Sequence, residues 1–185
     1  MRLSKPRIEP LPEAQWTEEV RAAVEPARAN VGRGTVPNIL ATIARHPKLL
    51  KRWNVFGNHV LFKSTLPARD REILILRVGW LCRSGYEWGQ HVIIGRRAGL
   101  VDDDFERIRA GADASGWSAF ESALMRAADE LHQDAFISDA TWQALAARYD
   151  TGQLMDVVFT VGQYHIVSMA LNTFGVQLDD GVEGF

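Results

Sequence analysis

The sequence predicts an all-α fold: a single helical domain of about eight helices with no sheet. Three observations support this prediction. Apolar residues recur at helical spacing through most of the chain, no stretch alternates in period two between turn dipeptides, and capping residues precede several apolar segments. The 185 residues suffice for one domain with a full core, and no internal boundary is evident, so we treat residues 1–185 as one unit.

Composition excludes several functional classes. Hydrophobic residues make up 46% of the chain and charged residues 24%, the balance of a folded globular protein. The formal net charge of -2 provides no basic field for nucleic acid. No apolar run approaches the roughly 18 residues that span a bilayer, and the first ten residues lack an apolar signal core. We therefore expect a cytoplasmic protein without a nucleic-acid or membrane partner.

Metal and cofactor sites are not expected from the motifs. The single cysteine, Cys82, excludes an internal disulfide and a cage built from cysteines alone. His59, His132 and His165 stand alone in the sequence, and no His-Glu-x-x-His pattern occurs. Glycine-rich phosphate loops are also missing. The sequence therefore predicts no metal and no cofactor.

The chain begins and ends with segments that lack helical spacing. Prolines at positions 6, 10 and 12 predict that residues 1–12 form an extended arm on the surface or on a neighbouring molecule. Residues 178–185 are acidic and rich in glycine, and we expect a loose tail there. Between them, Thr17 caps a first helix that fades near Asn30, and residues 32–34 form a loop.

The predicted helices follow one another through short breaks. Pro37 opens a helical piece, and helical spacing continues from Pro47 to Phe62. Later helices are predicted over about 102–111, 117–132, 138–147 and from 151 through a long apolar segment.

The central helix runs from Pro67 to about Cys82. It is apolar nearly all round, which predicts burial on most sides. Ser84 and Gly85 interrupt it, and Ser84 is a suitable cap for a second helix that ends at Gly99. If the two helices fold back on each other at this break, side chains of the first face those of the second.

Three residues on this helix pair are candidates for proton transfer. Glu87 and His91 lie four residues apart and so project from one face of the second helix. Glu72 lies on the first helix, where it faces them if the pair folds back. Desolvation of a carboxylate favours its protonated form, whereas a nearby imidazolium favours the charged form. The trio therefore predicts acid–base catalysis, with an ordinary surface pair and a solvated Glu72 as the alternative.

Four neighbouring residues are candidates for supporting roles. Tyr86 either donates a hydrogen bond to an oxyanion or packs in the core, and Cys82 is either a nucleophile or a small buried hydrophobic residue. Arg77 either binds an anion or forms an ion pair, and Ser84 lies at the helix break. Gln90 and the Tyr164–His165 pair are weaker candidates for contact with a ligand.

The same stretch resembles the carboxymuconolactone decarboxylase family, which includes the alkylhydroperoxidase AhpD. The resemblance rests on Leu66-Pro67, Arg71-Glu72, Arg77-Val78-Gly79, Cys82, the run from Tyr86 to His91, and Ala98-Gly99-Leu100. It is strongest over about residues 47–110. It implies an all-α fold that assembles as homo-oligomers, trimers or hexamers above all.

The resemblance also implies which residues act. In the peroxidase branch, a Cys-x-x-Cys pair precedes a histidine that corresponds to His91, and a glutamate that corresponds to Glu72 relays protons. Here the two thiol positions hold Ser84 and Glu87, and Cys82 is displaced from both. The resemblance is therefore to a branch that lacks the thiol pair, which favours proton transfer over thiol redox chemistry.

We therefore expect a lyase-like enzyme that uses Glu72, Glu87 and His91 on a small lactone or an acid from aromatic catabolism. Two alternatives remain open at this point. One is an AhpD-like peroxidase activity through Cys82, and the other is a non-catalytic family member that binds a small molecule.

Overall fold

The computed structural model describes residues 2–31 and 36–185, with side chains described except at 27–31. Within these residues the protein is entirely helical, with no strand and with nine α-helices against the predicted eight or so. The predicted loop at 32–34 lies outside the described residues. The helices are α1 (Glu18–Val31), α2 (Asn38–Ile43), α3 (Pro47–Asn58), α4 (Ala68–Leu81), α5 (Gly85–Arg97), α6 (Asp102–Ala110), α7 (Ala119–Asp134), α8 (Asp139–Ala146) and α9 (Thr151–Phe174).

Two short segments complete the helical architecture. A 3-10 turn covers Glu13–Gln15, and a π-helical segment, His59–Lys63, continues α3. The predicted helix from Pro47 to Phe62 therefore exists, but its last turn is wound more loosely than an α-helix.

Helix α4 lies at the centre of the domain. Its run from Ile73 to Leu76 and Val78 is fully buried, and the helix packs against α5, α6, α7 and α9. A helix that is apolar on every side gains most free energy when it is covered on every side. The prediction that this helix is central is confirmed.

The turn between α4 and α5 is made by the backbone rather than by a capping side chain. Arg83 adopts the left-handed conformation, with φ at 52°. The Ser84 N–H donates to the Gly79 carbonyl over 2.8 Å, which closes the end of α4. The predicted capping by Ser84 is wrong, because its side chain makes no cap hydrogen bond. Its hydroxyl is buried and has no hydrogen-bond partner among the described residues.

The C-terminal segment packs against the domain, so the predicted loose tail is wrong. Val182 is buried, and the Phe185 ring contacts the Trp80 ring edge-on with centroids 5.1 Å apart. A side chain at Gly89 of α5 would collide with the Glu183 carbonyl oxygen, so the close approach requires glycine there. The composition of the segment predicted a loose tail, but its apolar side chains pack against α4 and α5.

The N-terminal arm lies along its own chain. Residues 2–12 contain no helix, and the backbone N–H groups of Arg7 and Ile8 donate to the Phe174 carbonyl over 2.7 and 3.2 Å. Leu11 donates to the Ala41 carbonyl over 2.9 Å. The arm therefore covers the end of α9 and part of α2.

Helix α9 confirms the long apolar helix predicted from residue 151, but it is more apolar overall than the search for uninterrupted apolar runs indicated. Thr151–Phe174 is long and apolar enough to cross a bilayer by length and composition, although half of its most apolar window is buried inside the domain. The sequence search for uninterrupted apolar runs did not detect this property of α9, because glycine, threonine, glutamine and serine separate its apolar residues. Charged residues are rare in the helix, which keeps it apolar overall. A core helix of a globular domain has this same composition.

Candidate active site

The structure brings Glu72, Glu87 and His91 together in the interior. His91 Nδ1 lies 2.7 Å from Glu72 Oε2, and His91 Nε2 lies 3.0 Å from Glu87 Oε1. All three residues are at most 5% exposed. The imidazole thus bridges two carboxylates, one from each helix of the pair, as the fold-back at residues 84–85 predicted.

A fourth charged side chain fixes Glu72. Arg71 Nη2 lies 3.1 Å from Glu72 Oε1, so one carboxylate oxygen contacts arginine and the other contacts His91. Sequence reasoning named Arg71 only as part of a family motif. With two positive and two negative groups, the cluster is neutral overall when His91 is protonated.

The two carboxylates determine the charge of His91. Burial lowers the pKa of an imidazole, but attraction to Glu72 and then to Glu87 outweighs this effect and raises the pKa of His91 to about 10. His91 is therefore an imidazolium at neutral pH. In this state it is able to donate a proton, and it accepts one only after it has given its own away.

The two carboxylates differ in how completely their oxygens are bonded. Although Glu87 Oε1 lies near His91, the N–H is not aligned with it, and the oxygen has no hydrogen-bond partner among the described residues. A buried carboxylate oxygen without a partner is costly and is expected where a ligand completes the bonding. Glu87, not Glu72, is therefore the carboxylate with capacity to bind a ligand.

A cavity of about 170 Å³ opens beside Glu87 and His91. Helices α2, α3, α5 and α9 enclose it, and Gln163 places a second unpartnered oxygen, Oε1, on its wall. No lysine or arginine side chain lines the cavity in the part of the chain that the structure describes. Most of the wall is apolar, including Ile39, Leu40, Trp53, Leu61, Ile94 and Val167.

Residues 47–130, which contain both glutamates and His91, match the carboxymuconolactone decarboxylase family. The resemblance to this family is confined to those residues, which make up a little under half of the chain. The match covers the central helix pair and α7 but not α9, which supplies one wall of the cavity. No curated protein sequence matches the chain.

Solved structures show that the fold is AhpD-like. An alkylhydroperoxidase AhpD core protein from Ralstonia eutropha JMP134, described as peroxidase-related, aligns with a TM-score of 0.80 at 17% identity, over 94% of this chain and 92% of that one. A peroxidase-related protein from Silicibacter sp. TM1040 aligns with a TM-score of 0.76 at 16% identity, over 97% and 92%.

A debrominase, Bmp8, shares the fold as well. A variant of it solved in complex with 2,3,4-tribromopyrrole aligns with a TM-score of 0.76 at 12% identity, over 96% of this chain and 94% of that one. These identities show a common fold for proteins of different descriptions, and function has to be argued from the site.

Tyr86 lies in the cavity wall, but its hydroxyl is already bonded. It donates to Asp179 Oδ2 over 2.9 Å and accepts from the Ile39 N–H over 3.4 Å. Gln90 donates to the same Asp179 oxygen over 2.6 Å. Burial, and then the Asp179 charge, raise the pKa of Tyr86 well above its ordinary value. Tyr86 therefore shapes the cavity, and oxyanion donation would require its bond to Asp179 to break.

Arg77 and Ser84 do not line the cavity, so their predicted supporting roles lack geometric support. The Arg77 guanidinium contacts Asp129 with Nε 2.6 Å from Oδ1, and it also donates to the Ile108 carbonyl over 2.8 Å. Arg77 thus ties α4 to α6 and α7. The ion-pair alternative for this residue agrees with the structure.

Cys82 also lies outside the cavity lining. It is half-buried at the end of α4, and burial raises the pKa of its thiol. The sulfur lies near His132 and His165 rather than near Glu72 and His91. The expectation that these two histidines stand alone is wrong, because a nitrogen of one lies 2.8 Å from a nitrogen of the other.

Helix α9 supplies the site residues that sequence reasoning largely missed. The Tyr164 ring packs edge-on against His91, with centroids 4.9 Å apart, and burial raises its pKa well above the usual value. Tyr164 therefore lies at the site, which agrees with one of the sequence-based hypotheses. His165 points away from the site and lies near Cys82. The available signal for Gln163 was its place in the middle of an apolar helix, one residue before Tyr164.

Proposed function

We propose that this protein is an acid–base enzyme of the decarboxylase branch, acting on a small lactone or an aromatic-catabolism acid. One observation carries the proposal: a protonated His91, held between two carboxylates, lies on the wall of a small and mainly apolar cavity. Decarboxylation leaves an enolate-like charge whose carbon must be protonated, and an enclosed imidazolium is suited to that step.

The roles follow from the contacts. The substrate carboxylate would enter a cavity with little polar lining, and loss of neutral carbon dioxide leaves the bonding electron pair and the negative charge on the neighbouring carbon, where an enolate-like system delocalises it. His91 then donates its proton to the carbanion carbon, and Glu72, held by Arg71, favours recovery of the proton from solvent. Gln163 Oε1, which has no hydrogen-bond partner among the described residues, and Glu87 Oε1, which forms an ion pair with His91, would accept hydrogen bonds from the substrate and orient it.

The same groups would serve ring cleavage, hydration or isomerisation of a similar compound. Peroxidase chemistry through Cys82 has less support, because the thiol lies outside the cavity lining, its pKa is raised, and the chain has no second thiol. A binding protein without catalytic activity would use the same cavity, so turnover has to distinguish it from the enzyme.

The first experiment measures turnover of carboxymuconolactone and related lactone acids by carbon dioxide release. Replacement of a general acid typically costs 10²–10⁴-fold in rate. We expect His91→Asn to lower kcat/KM by at least about 100-fold, because asparagine has no proton to give. Glu72→Gln should also lower it, and Glu87→Gln, which leaves the Glu72–His91 pair in place, should mainly raise KM.

Matched controls use the same substitutions away from the cavity. His59→Asn and Glu106→Gln change exposed residues and should leave kcat/KM unchanged. Circular dichroism establishes that each variant is folded. Equal rates in wild type and the folded His91→Asn variant would remove His91 from the mechanism. Ligand binding without turnover of any substrate would favour the binding protein.

We also propose that the protein forms a homo-oligomer such as a trimer or hexamer. Four large apolar side chains of α9 are about half exposed or more and lie along one stripe of the helix: Met155, Phe159, Ile166 and Met169. A second copy that covers the stripe would remove this apolar surface from water. Light scattering should give a multiple of 20.7 kDa, and Phe159→Lys should lower the mass. A monomeric wild type would contradict the proposal.

A further inference from the structure

Three metal-ligating side chains meet at the end of α4, outside the cavity. Cys82 ends α4, His132 belongs to the last turn of α7, and His165 lies in the middle of α9. One ligand atom from each lies within 4.8 Å of the others. Residues from three helices, at least 33 positions apart, thus converge on one point.

One of the two histidines already presents a lone pair to this point. His165 Nδ1 lies 2.8 Å from the Val161 carbonyl oxygen, which only accepts, so Nδ1 carries the hydrogen. The other nitrogen of the neutral ring, Nε2, is then unprotonated. It lies 2.8 Å from His132 Nδ1, which donates to it. Bonding of one ring nitrogen to a backbone carbonyl is the arrangement that orients metal-binding histidines.

The two rings also bring their nitrogens together. They are stacked with centroids 5.1 Å apart, and His132 Nδ1 lies 2.8 Å from His165 Nε2. Neutral imidazole nitrogens are common zinc ligands.

The thiol is held in place by its own backbone. The Cys82 carbonyl accepts from Asn172 Nδ2 over 2.8 Å and from Arg2 over 3.3 Å, which ties the end of α4 to α9 and to the N-terminal arm. His132 is exposed while Cys82 and His165 are half-buried, so an ion has a path from solvent.

We propose that Cys82, His132 and His165 bind one divalent transition-metal ion of the zinc class. The ion would replace the hydrogen shared by the two imidazoles, with the thiolate as third ligand and water as fourth. Zinc–nitrogen and zinc–sulfur bonds of about 2.0–2.3 Å require the two ring nitrogens, now 2.8 Å apart, to separate slightly and the sulfur to approach them. The thiol proton passes to solvent, and the His132 hydrogen moves to its exposed Nε2.

This site departs from the sequence-based expectation of no metal, and it goes beyond the proposed acid–base function. It uses none of Glu72, Glu87 or His91. The three ligands come from α4, α7 and α9, so a bound ion would join the helices that surround the core. Cysteine and histidine together favour zinc over magnesium or calcium, which prefer oxygen ligands.

The test titrates Zn²⁺ into the full chain after removal of metal by a chelator, with calorimetry as the readout. We expect one zinc ion per chain, and at least about a tenfold loss of affinity in each of Cys82→Ser, His132→Asn and His165→Asn. His59→Asn, the matched control on the exposed π-helical segment, should bind zinc as the wild type does. Zinc should also raise the melting temperature of the wild type.

Two further measurements make the result decisive. With Co²⁺ in place of zinc, the wild type should show a thiolate-to-cobalt charge-transfer band that Cys82→Ser lacks. Because Cys82 is the single thiol, its alkylation rate reports on this site alone, and zinc should slow it. Absence of stoichiometric zinc binding would overturn the proposal, and so would unchanged affinity in the three variants or a cobalt complex without the thiolate band.

Discussion

The protein contains two histidine sites that differ in the charge of their surroundings. His91 lies between two carboxylates, and its pKa is raised to about 10. His132 faces another imidazole, and its pKa is lowered. Burial lowers the pKa in both places, so the neighbouring charge decides the outcome.

The comparison shows how neighbouring residues give one side-chain type two different electrostatic environments within one helical domain. An imidazole held as a cation is able to donate a proton and has no free lone pair. An imidazole held neutral offers a lone pair to an electrophile or a metal ion. Partner residues on adjacent helices, rather than the histidines themselves, therefore assign the roles.

A large effect is expected from removing the carboxylate that dominates the His91 site. Glu72→Gln leaves the buried charges of Arg71 and His91 without their shared counterion. Loss of one partner of a buried ion pair typically costs 3–5 kcal/mol, and we expect a fall in the free energy of unfolding of about 4 kcal/mol. Urea denaturation at pH 7 measures it.

The control for this variant is Glu106→Gln, which makes the same change at an exposed ion pair on α6. Exposed pairs contribute little, so its free energy of unfolding should stay within about 0.5 kcal/mol of wild type. Equal stability of the two variants would mean that Glu72 is not the buried counterion of a charged His91.

A second effect, of comparable size, should separate the two histidine sites by pH. The folded pKa of His91, about 10, exceeds its ordinary 6.5. Below pH 6.5 both states hold the proton and the stabilisation is complete. Between 6.5 and 10 only the folded state holds it, so stability falls as pH rises, and the contribution is lost above 10. We expect a loss of up to about 5 kcal/mol across this window, measured by urea denaturation.

Two variants sharpen this measurement. His91→Asn should flatten the decline between pH 6.5 and 10. His132→Asn, in metal-free protein, should leave the decline unchanged, because His132 is neutral in both states above pH 6.5. The lowered pKa of His132 affects stability at lower pH instead. Stability is lost as the pH falls through the ordinary histidine pKa, because the unfolded state then binds a proton that the folded state does not. A decline that persists in His91→Asn would assign it to another group.

The His91 site was predictable from sequence because its contacts are local. Glu87 and His91 share a helix face, and the break predicted near Ser84–Gly85, which the structure places at residues 82–84, brings Glu72 opposite them. The all-α fold was predictable for the same reason, since each helix carries its own periodicity and most carry their own end signals.

The second site was not predictable, because its contacts are long-range. Nothing in the spacing of His132 and His165, 33 residues apart on different helices, indicates that their rings meet. The same holds for Asp179, which lies in a segment of polar composition yet bonds to Tyr86 and Gln90. Which residues of two distant helices meet depends on how the helices pack. The periodicity of each helix alone does not determine this.

Asp179 has one further consequence. Its two oxygens join the end of the chain to the cavity wall: one accepts from the Asn38 N–H at the start of α2, and the other from Tyr86 and Gln90 on α5. The C-terminal segment and two side chains of the cavity wall are therefore held by the same carboxylate. A change at either place that alters these hydrogen bonds would reach the other, and any such coupling is equal in both directions.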